Sequence, residues 1–385
     1  MTLRLLTAGE SHGPELVVIV EGVPAGVEVD FEELDRHLDR RRGGHGRGAR
    51  STKIEHDHAE IVSGVNQSRT TGSPVAIRIV NRDFANQPPD PVRLTSPRPG
   101  HADLAGAIKH GHSDFRLVRE RASARETAAR VAAAALIRPL LREFGISLGS
   151  FVVGIGRVKL RLELGSSTPK SLASLAAAAE PDPVRCPDPE ISEQMVAAID
   201  QAKEDRQTVG GTFVVFALGV PLGLGSYTHW DLRLDGRLAQ AICSIPAIKG
   251  VEIGPGFELA TLTGSQGQDS ILSSRGKLVR GSNFAGGLEG GMSNGEPIVL
   301  RAAMKPLSST RAPATSVDLR TGVAADPPYV RSDVCAVPAA AVVGEAMVGW
   351  VLAQALIERF GGDRLDSALA AARLVEAQPP PGARQ

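Results

Sequence analysis

The chain has 385 residues and a mass of 40.4 kDa, and its 43 Lys and Arg balance 43 Asp and Glu. A formal net charge of zero excludes a globally basic nucleic-acid binder and an acidic tail protein. Apolar residues at 42% and charged residues at 22% exclude a disordered chain and allow one large core or two moderate ones.

Taken in chain order, Leu3 to Leu6 and Leu16 to Val20 read as paired strands joined by the polar turn Gly9-Glu10-Ser11-His12-Gly13-Pro14. Asp30 opens a helix with Glu33 three residues on, Phe31, Leu34 and Leu38 form its apolar face, and Gly43-Gly44 ends it. A strand follows at Val75 to Val80. A second helix is predicted to start at Ser123, with Glu126 completing Ser-x-x-Glu, and to run to Phe144-Gly145 with a kink at Pro139. Further strands are expected at Phe151 to Val153, Thr212 to Gly219 and Pro297 to Leu300. Residues 160–208, rich in Ala, Ser, Pro and charge, read as a peripheral elaboration of loops with one surface helix.

The run Ala336 to Leu356 is apolar enough to suggest a membrane. It carries Glu345 and Gln354, opens with Pro338 and is closed by Gly361-Gly362, so it reads as a buried core helix. Pro379 to Gln385 should be disordered. Gly72-x-Pro74-Val75-x-Ile77-Arg78 echoes Gly295-x-Pro297-Ile298-x-Leu300-Arg301, which raises the idea of a duplicated α+β core. Cys186, Cys243 and Cys335 have no paired spacing, which fits neither a disulfide framework nor a zinc site and suggests a reducing compartment. With no signal-peptide pattern at Met1 to Thr7, the expectation is a cytoplasmic protein that does not enter a membrane.

The zero net charge hides a local separation. All six charges from Glu21 to Asp35 are acidic, whereas seven Lys and Arg from Arg36 to Lys53 face Asp39 alone. Arg40 and Arg42 are explained equally well by the favourable field at a helix C-terminus. Arg47 and Arg50 lie past the helix in a glycine loop, where holding a cation in place is costly without an anion to reward it. Nucleic acid is not expected as that anion, because residues 32–83 contain no aromatic on which a base could stack. Gly44-x-Gly46-x-x-Ala49 follows a helix, so it is not a dinucleotide fingerprint.

Arg121 and Arg125 flank Ser123 at a predicted helix N-terminus, an arrangement suited to phosphate or carboxylate. His12 and His101 sit in glycine-bearing turns, where an imidazole can act as acid or base near neutral pH. His110-Gly111-His112 and His56-Asp57-His58 lack a third ligand at suitable spacing, and no metal site is read from them. Lys305-Pro306-Leu307-Ser308-Ser309 offers a cation and two hydroxyls, and Gly286 to Gly291 allows close backbone approach to a flat ligand. Arg331-Ser332-Asp333 contains either a structural ion pair or a base at the mouth of the last core helix.

Together these motifs resemble the chorismate synthases. The pieces are Gly9 to Gly13, Arg40-Arg41-Arg42 with Gly46-Arg47-Gly48, Arg98-Pro99-Gly100-His101-Ala102-Asp103, Arg121 to Glu126, Ile245 to Glu252, Gly290 to Gly295, Lys305 to Ser309 and Arg331 to Cys335. They occur in the family's order from about residue 3 to residue 360.

The resemblance implies a single large α+β domain of β-α-β sandwich type over 1–362, followed by a C-terminal helix and tail over 363–385, in a homotetramer. It implies a lyase that eliminates phosphate from 5-enolpyruvylshikimate 3-phosphate in an anti-1,4 sense to give chorismate, using reduced FMN without net redox change. Catalytic roles then fall on His12 (proton to the departing phosphate), His101 (protonation of the reduced flavin) and Asp333 (with the flavin N5, the carbon-bound proton), helped by Ser11 and Ser123. Flavin contacts fall on Arg121, Ala122, Ser123, Pro246, Ala247, Gly290, Lys305, Pro306, Leu307, Ser308, Ser309 and Arg331. Arg41, Arg47 and Arg125 face substrate anions or a nicotinamide phosphate. Leu307 stands where the family usually has Thr, and His45 where it often has an aromatic. A separate flavin reductase, with NADPH as the indirect reductant, follows from the lack of a second nucleotide fingerprint. The competing expectation is a flavin- or RNA-binding module without catalysis, which would not need His12, His101 and Asp333 together.

Overall fold

In the computed structural model, residues 2–48, 57–86, 91–274, 277–327 and 332–376 are described. The cations expected at Arg50 and Arg331 and the disordered end expected at 379–385 lie outside them. Two antiparallel sheets organise the chain. The first contains β1 (Arg4–Gly9), β2 (Glu15–Glu21), β3 (Ala59–Ser63) and β4 (Val75–Val80) in the order β1-β2-β4-β3. The second contains β5 (Ser147–Ile155), β6 (Val158–Lys159), β7 (Gly211–Leu218), β8 (Ile248–Ile253) and β9 (Ile298–Met304) in the order β8-β9-β7-β5-β6.

Apart from the short β6, the two sheets share one connectivity. In each, the first two strands in sequence pair, the fourth pairs with the second, and the third closes the far edge. A helix follows the second strand of each set, α1 (Phe31–Arg42) in one and α7 (Leu234–Cys243) in the other. Another follows the fourth, α4 (Thr127–Glu143) and α8 (Val337–Phe360). The sequence echo falls on β4 and β9, which hold equivalent positions, each preceded by a left-handed glycine, Gly72 at φ 84° and Gly295 at φ 90°. The topology is that of a duplicated unit.

Alternation fixes how each sheet is covered. On β2 and β4, Leu16, Val18, Val20, Val75, Ile77 and Ile79 face inward and are buried, with Val18 opposite Ile77. This face packs on α4, whereas α8 packs on β5 and β7, and α4 and α8 pack on each other. The second sheet is buried on both faces, since Phe151, Val214, Phe216 and Val299 form an outer cluster with Leu172 and Ala179 of α5 (Pro169–Ala179). The 160–208 segment therefore holds two helices, α5 and α6 (Pro189–Glu204), where one was expected, and Met195 and Ile199 of α6 join the main core. Helix α8 has the length and apolar character of a membrane span but is buried within the protein. Pro139 lies within the continuous helix α4. A final helix, α9 (Leu365–Glu376), packs on α8.

Buried charge joins the layers. Glu345, 1% exposed at the middle of α8, accepts from Arg40 Nη1 and Nη2 at 2.9 Å, from Arg138 Nη2 at 2.6 Å and from Ser150 Oγ at 2.7 Å. Glu180 binds the same Arg40 and also Arg185. Burial alone would raise the Glu345 carboxyl, but Arg40, Arg138 and Arg185 hold it well below the usual range. Arg40 is thus a structural cation, and Arg42 pairs with Asp39 at 2.8 Å on the helix surface.

Glu33, buried at the start of α1, gives a pH-dependent contribution. Burial favours its neutral form, but hydrogen bonds from His37 and Arg142 bring its pKa from 4.5 down to about 2. A carboxylate with a depressed folded pKa stabilises the fold above its unfolded pKa and loses that contribution as pH falls. The loss should therefore occur between 4.5 and about 2. Because Arg142 is half exposed, the contribution should be about 1–2 kcal/mol rather than the full shift. Urea midpoints measured from pH 5 downward should fall less steeply for Glu33→Gln than for the parent, and parallel curves would contradict this assignment.

Candidate active site

The turn after β1 requires glycine. Gly9 has φ 102°, and a Cβ there would lie 2.4 Å from the Glu15 carbonyl oxygen. The turn delivers Ser11 and His12 to the end of α3 (Phe115–Ala122). There the Ser11 amide donates to the Glu120 carbonyl at 3.0 Å, and the His12 amide donates to Glu120 Oε2 at 2.7 Å. His12 Nδ1 lies 2.8 and 3.0 Å from the two carboxylate oxygens of Glu120. Burial pushes the Glu120 carboxyl up, but the His12 contacts outweigh it and hold Glu120 below its ordinary range. Ser123 Oγ donates to Ser11 Oγ at 3.1 Å.

The helix expected to begin at Ser123 does begin there, through a 3-10 first turn, and a helix not expected from the sequence ends against it. Helix α3 ends at Ala122, Ser123 is extended, a single 3-10 turn spans Ala124–Glu126, and α4 begins at Thr127. Ser123 still caps, accepting from the Arg125 amide at 3.3 Å. The break places its hydroxyl on Ser11. Arg121 donates to the Thr7 carbonyl at 2.8 Å, Thr7 Oγ1 at 2.7 Å and the Gly9 carbonyl at 3.3 Å, all uncharged acceptors. Arg125 is buried against Asp57 at 2.5 Å. Burial raises the Asp57 carboxyl, but Arg125, Arg41 and Arg42 pull it below the normal range. Arg41 is also buried, donating to Thr127 Oγ1 and the Ala124 carbonyl at 2.8 Å.

A second cluster surrounds His101. Its Nδ1 lies 2.5 Å from Asp103 Oδ1, and Arg98 clamps the same carboxylate with Nε at 2.8 Å and Nη2 at 3.0 Å. Asp103 is buried at the start of α2 (Asp103–His110). Burial opposes its charge, yet His101 and Arg98 keep it far below the usual carboxylate range. Arg98 Nη1 reaches Ser309 Oγ at 2.8 Å, and Ser308 Oγ donates to the Gly100 carbonyl at 2.6 Å. Lys305 Nζ donates to Ser308 Oγ at 2.9 Å and the Pro306 carbonyl at 3.1 Å, and its amide donates to the Ala247 carbonyl at 2.9 Å. Burial, with Lys249 nearby, lowers the Lys305 pKa. Leu307 turns its partly buried side chain to the core, while its carbonyl accepts from Thr208 Oγ1 at 2.7 Å.

Asp333 completes the arrangement by accepting from Arg47 Nη1 at 2.5 Å and the Gly48 amide at 2.7 Å. Its neighbour Ser332 donates to the Ser309 carbonyl at 2.5 Å, and Arg47 Nε donates to the Arg42 carbonyl at 3.2 Å. The contacts form two chains, one from His12 through Ser11, Ser123 and Arg125 to Asp57 and one from Arg42 through Arg47, Asp333, Ser332, Ser309 and Arg98 to His101, with Asp57 lying in the field of Arg42. Arg119 lies between the two histidine clusters, its pKa lowered by burial and by Arg98, and within the fields of Glu120 and Asp103.

The structure thus brings together His12, Ser11, Ser123, Arg121, Ala122, Arg125 and Arg41, and joins His101, Pro246-Ala247, Lys305 to Ser309, Asp333 and Arg47. Gly290 lies in the hairpin Leu288–Ser293, tied to the start of α7 through Gly291 and Leu234, and no described hydrogen bond links it to either histidine cluster. Spacing does not single out Glu120, Asp57, Arg98 or Asp103, because their partners are distant in sequence or hidden behind the histidine of the same motif. A cavity of about 490 Å³ lined by Glu163, Leu164, Pro255, Arg280, Phe284 and Glu296 shares no lining residue with these chains.

A family model described as chorismate synthase matches residues 3–357. A chorismate synthase of Rubrobacter xylanophilus is 54% identical over 377 residues, covering 95% of this chain and 94% of the relative. One from Moorella thermoacetica is 53% identical over 373 residues, covering 94% and 95%. A solved structure titled "Crystal Structure of Chorismate Synthase" superposes with a TM-score of 0.80 at 44% identity, covering 97% of each chain.

Ala247 occupies the left-handed region at φ 68°, which costs a residue with a Cβ about 1–2 kcal/mol. Ala247→Gly should leave stability unchanged or raise it by up to about 1 kcal/mol, whereas Ala247→Val should lower it by about 2 kcal/mol or more. Chemical unfolding of both variants checks this, and equal effects would contradict a strained backbone there.

Proposed function

This chain belongs to the chorismate synthase family and is a lyase, and from that premise we propose that it eliminates phosphate from 5-enolpyruvylshikimate 3-phosphate to form chorismate with reduced FMN. The observation that supports this most directly is the pair of contact chains that holds two carboxylate-bound histidines, two linked hydroxyls and Asp333 among arginines. A substrate with carboxylates and a phosphate needs such a cationic site. On this reading the layered sheets and helices form the family's β-α-β sandwich.

The donor set suits an anionic flavin. Among the described residues the Arg121 side chain bonds uncharged oxygens of Thr7 and Gly9, and Lys305 Nζ bonds Ser308 and Pro306 with Lys249 nearby. Arg121, Ala122, Ser123, Pro246, Ala247 and Lys305 to Ser309 would hold the cofactor, with Gly290 and Arg331 added by the family pattern. When bound, reduced FMN supplies electron density for the loss of an allylic phosphate. His12 donates a proton to the departing phosphate, Asp333 accepts the carbon-bound proton, and His101 holds a proton beside the cofactor. Arg47 orients Asp333, while the buried Arg41 and Arg125 contribute positive field toward the substrate anions.

The proposal extends to a homotetramer, for which the exposed Leu6, Ile19 and Val80 on the outer face of the first sheet offer an apolar surface. It also includes a cytoplasmic setting and a separate flavin reductase that draws on NADPH. Anaerobic mixing with reduced FMN and substrate should yield chorismate and phosphate in equal amounts, with no net flavin oxidation. His12→Ala should slow turnover by roughly 10²-fold or more. The same folded protein yielding no chorismate, or a near-normal rate in His12→Ala, would contradict this reading.

A further inference from the structure

Glu120 makes a set of contacts that neither the helix nor the ion-pair network requires. It sits on the last turn of α3, and its carboxylate accepts from the His12 amide at 2.7 Å and lies 2.8 and 3.0 Å from His12 Nδ1. Its carbonyl accepts from the Ser11 amide at 3.0 Å. One residue therefore fixes the main chain of the turn and one edge of the ring. The Glu120 side chain is 11% exposed, so water competes weakly for the carboxylate.

We propose that Glu120 is the positioning residue for His12, keeping a proton on Nδ1 in both the charged and the neutral ring, so that the proton the charged ring gives to the ligand is the one on Nε2 and the Nδ1–H tautomer is left behind. A carboxylate can only accept, so the ring nitrogen facing it must carry hydrogen. The ring is thereby fixed in both rotation and tautomer before a ligand arrives, and the Ser11–Ser123 hydroxyl pair is held on the same turn. A free histidine on a glycine turn would divide itself among rotamers and tautomers, and only part of that population would be competent. This inference rests on the proposed use of His12 as an acid.

The test combines ring spectroscopy with kinetics on the full-length protein. In protein labelled with 15N-histidine, the His12 ring should show the protonated Nδ1 pattern, and Glu120→Gln should shift it toward a mixture of tautomers. In the anaerobic assay Glu120→Gln should lower kcat by roughly 10–100-fold, part of the roughly 10²–10⁴-fold that general acid catalysis supplies, while KM for substrate and FMN affinity change less than about threefold. Glu120→Asp, which keeps the charge, should recover part of kcat. A His12 ring signal unchanged in Glu120→Gln, or an unchanged kcat, overturns the inference. So does a loss of kcat matched by an equal loss of FMN affinity, which marks a merely structural residue. If the parent makes no chorismate, the functional reading fails, and the ring spectra alone then decide whether Glu120 sets the tautomer of His12.

Discussion

A carboxylate with almost no access to water holds this protein together. Glu345 lies in the middle of an apolar helix, where an unpaired charge would cost several kcal/mol. It is held ionised by Arg40 of α1 and Arg138 of α4 on the side of the first sheet, and by Ser150 of β5 with Arg185 beside it on the side of the second. The two duplicated units meet at one geometry because any sliding between them would leave a buried charge without its partner. Apolar packing between α4 and α8 supplies most of the burial, but such surfaces tolerate adjustment in a way that a buried bidentate ion pair does not.

The candidate site inherits that geometry. The three consecutive arginines that end α1 have three different roles. Arg40 points into the core to Glu345, Arg41 holds the turn from Ala124 to Thr127, and the Arg42 carbonyl receives Arg47, which in turn holds Asp333. Fixing the first arginine therefore fixes the base of the loop on which the others depend. The histidines are supported by the same means on a smaller scale, each with Nδ1 against a carboxylate kept ionised by its surroundings. A chain of zero net charge thus supplies a cationic site by spending its acids on positioning.

Much of the framework was legible because it depends on local pattern. Period-two apolar runs marked β1, β2 and β4, the Asp30 cap marked α1, whose side chain does accept from the Glu33 amide at 2.9 Å, and the bounded apolar run marked α8. Helix α3 and its end at Ser123 were not legible, because Ser-x-x-Glu marks the start of a helix and carries no signal for another that stops against its cap. Helices α2 and α3 are short and polar and are held by tertiary contacts. His12, His101, Arg47, Arg121, Arg125, Lys305 and Asp333 could be picked out by type and turn chemistry, whereas Ser11, Pro246 and Ala247 came only with the family resemblance. Their assembly could not, since Ser11 meets Ser123, Arg98 meets Ser309 and Arg47 meets Asp333 across separations that no local spacing encodes.

The claim that the buried Glu345 cluster sets the relation between the two halves, and through it the site, is tested most directly by Glu345→Gln, which keeps the shape and removes the charge. Equilibrium unfolding in urea at neutral pH should show a loss of about 3–5 kcal/mol, the range for breaking a buried ion pair from one side. At temperatures where the variant remains folded, kcat/KM should fall as well. A loss below about 1 kcal/mol with unchanged kcat/KM would contradict the account.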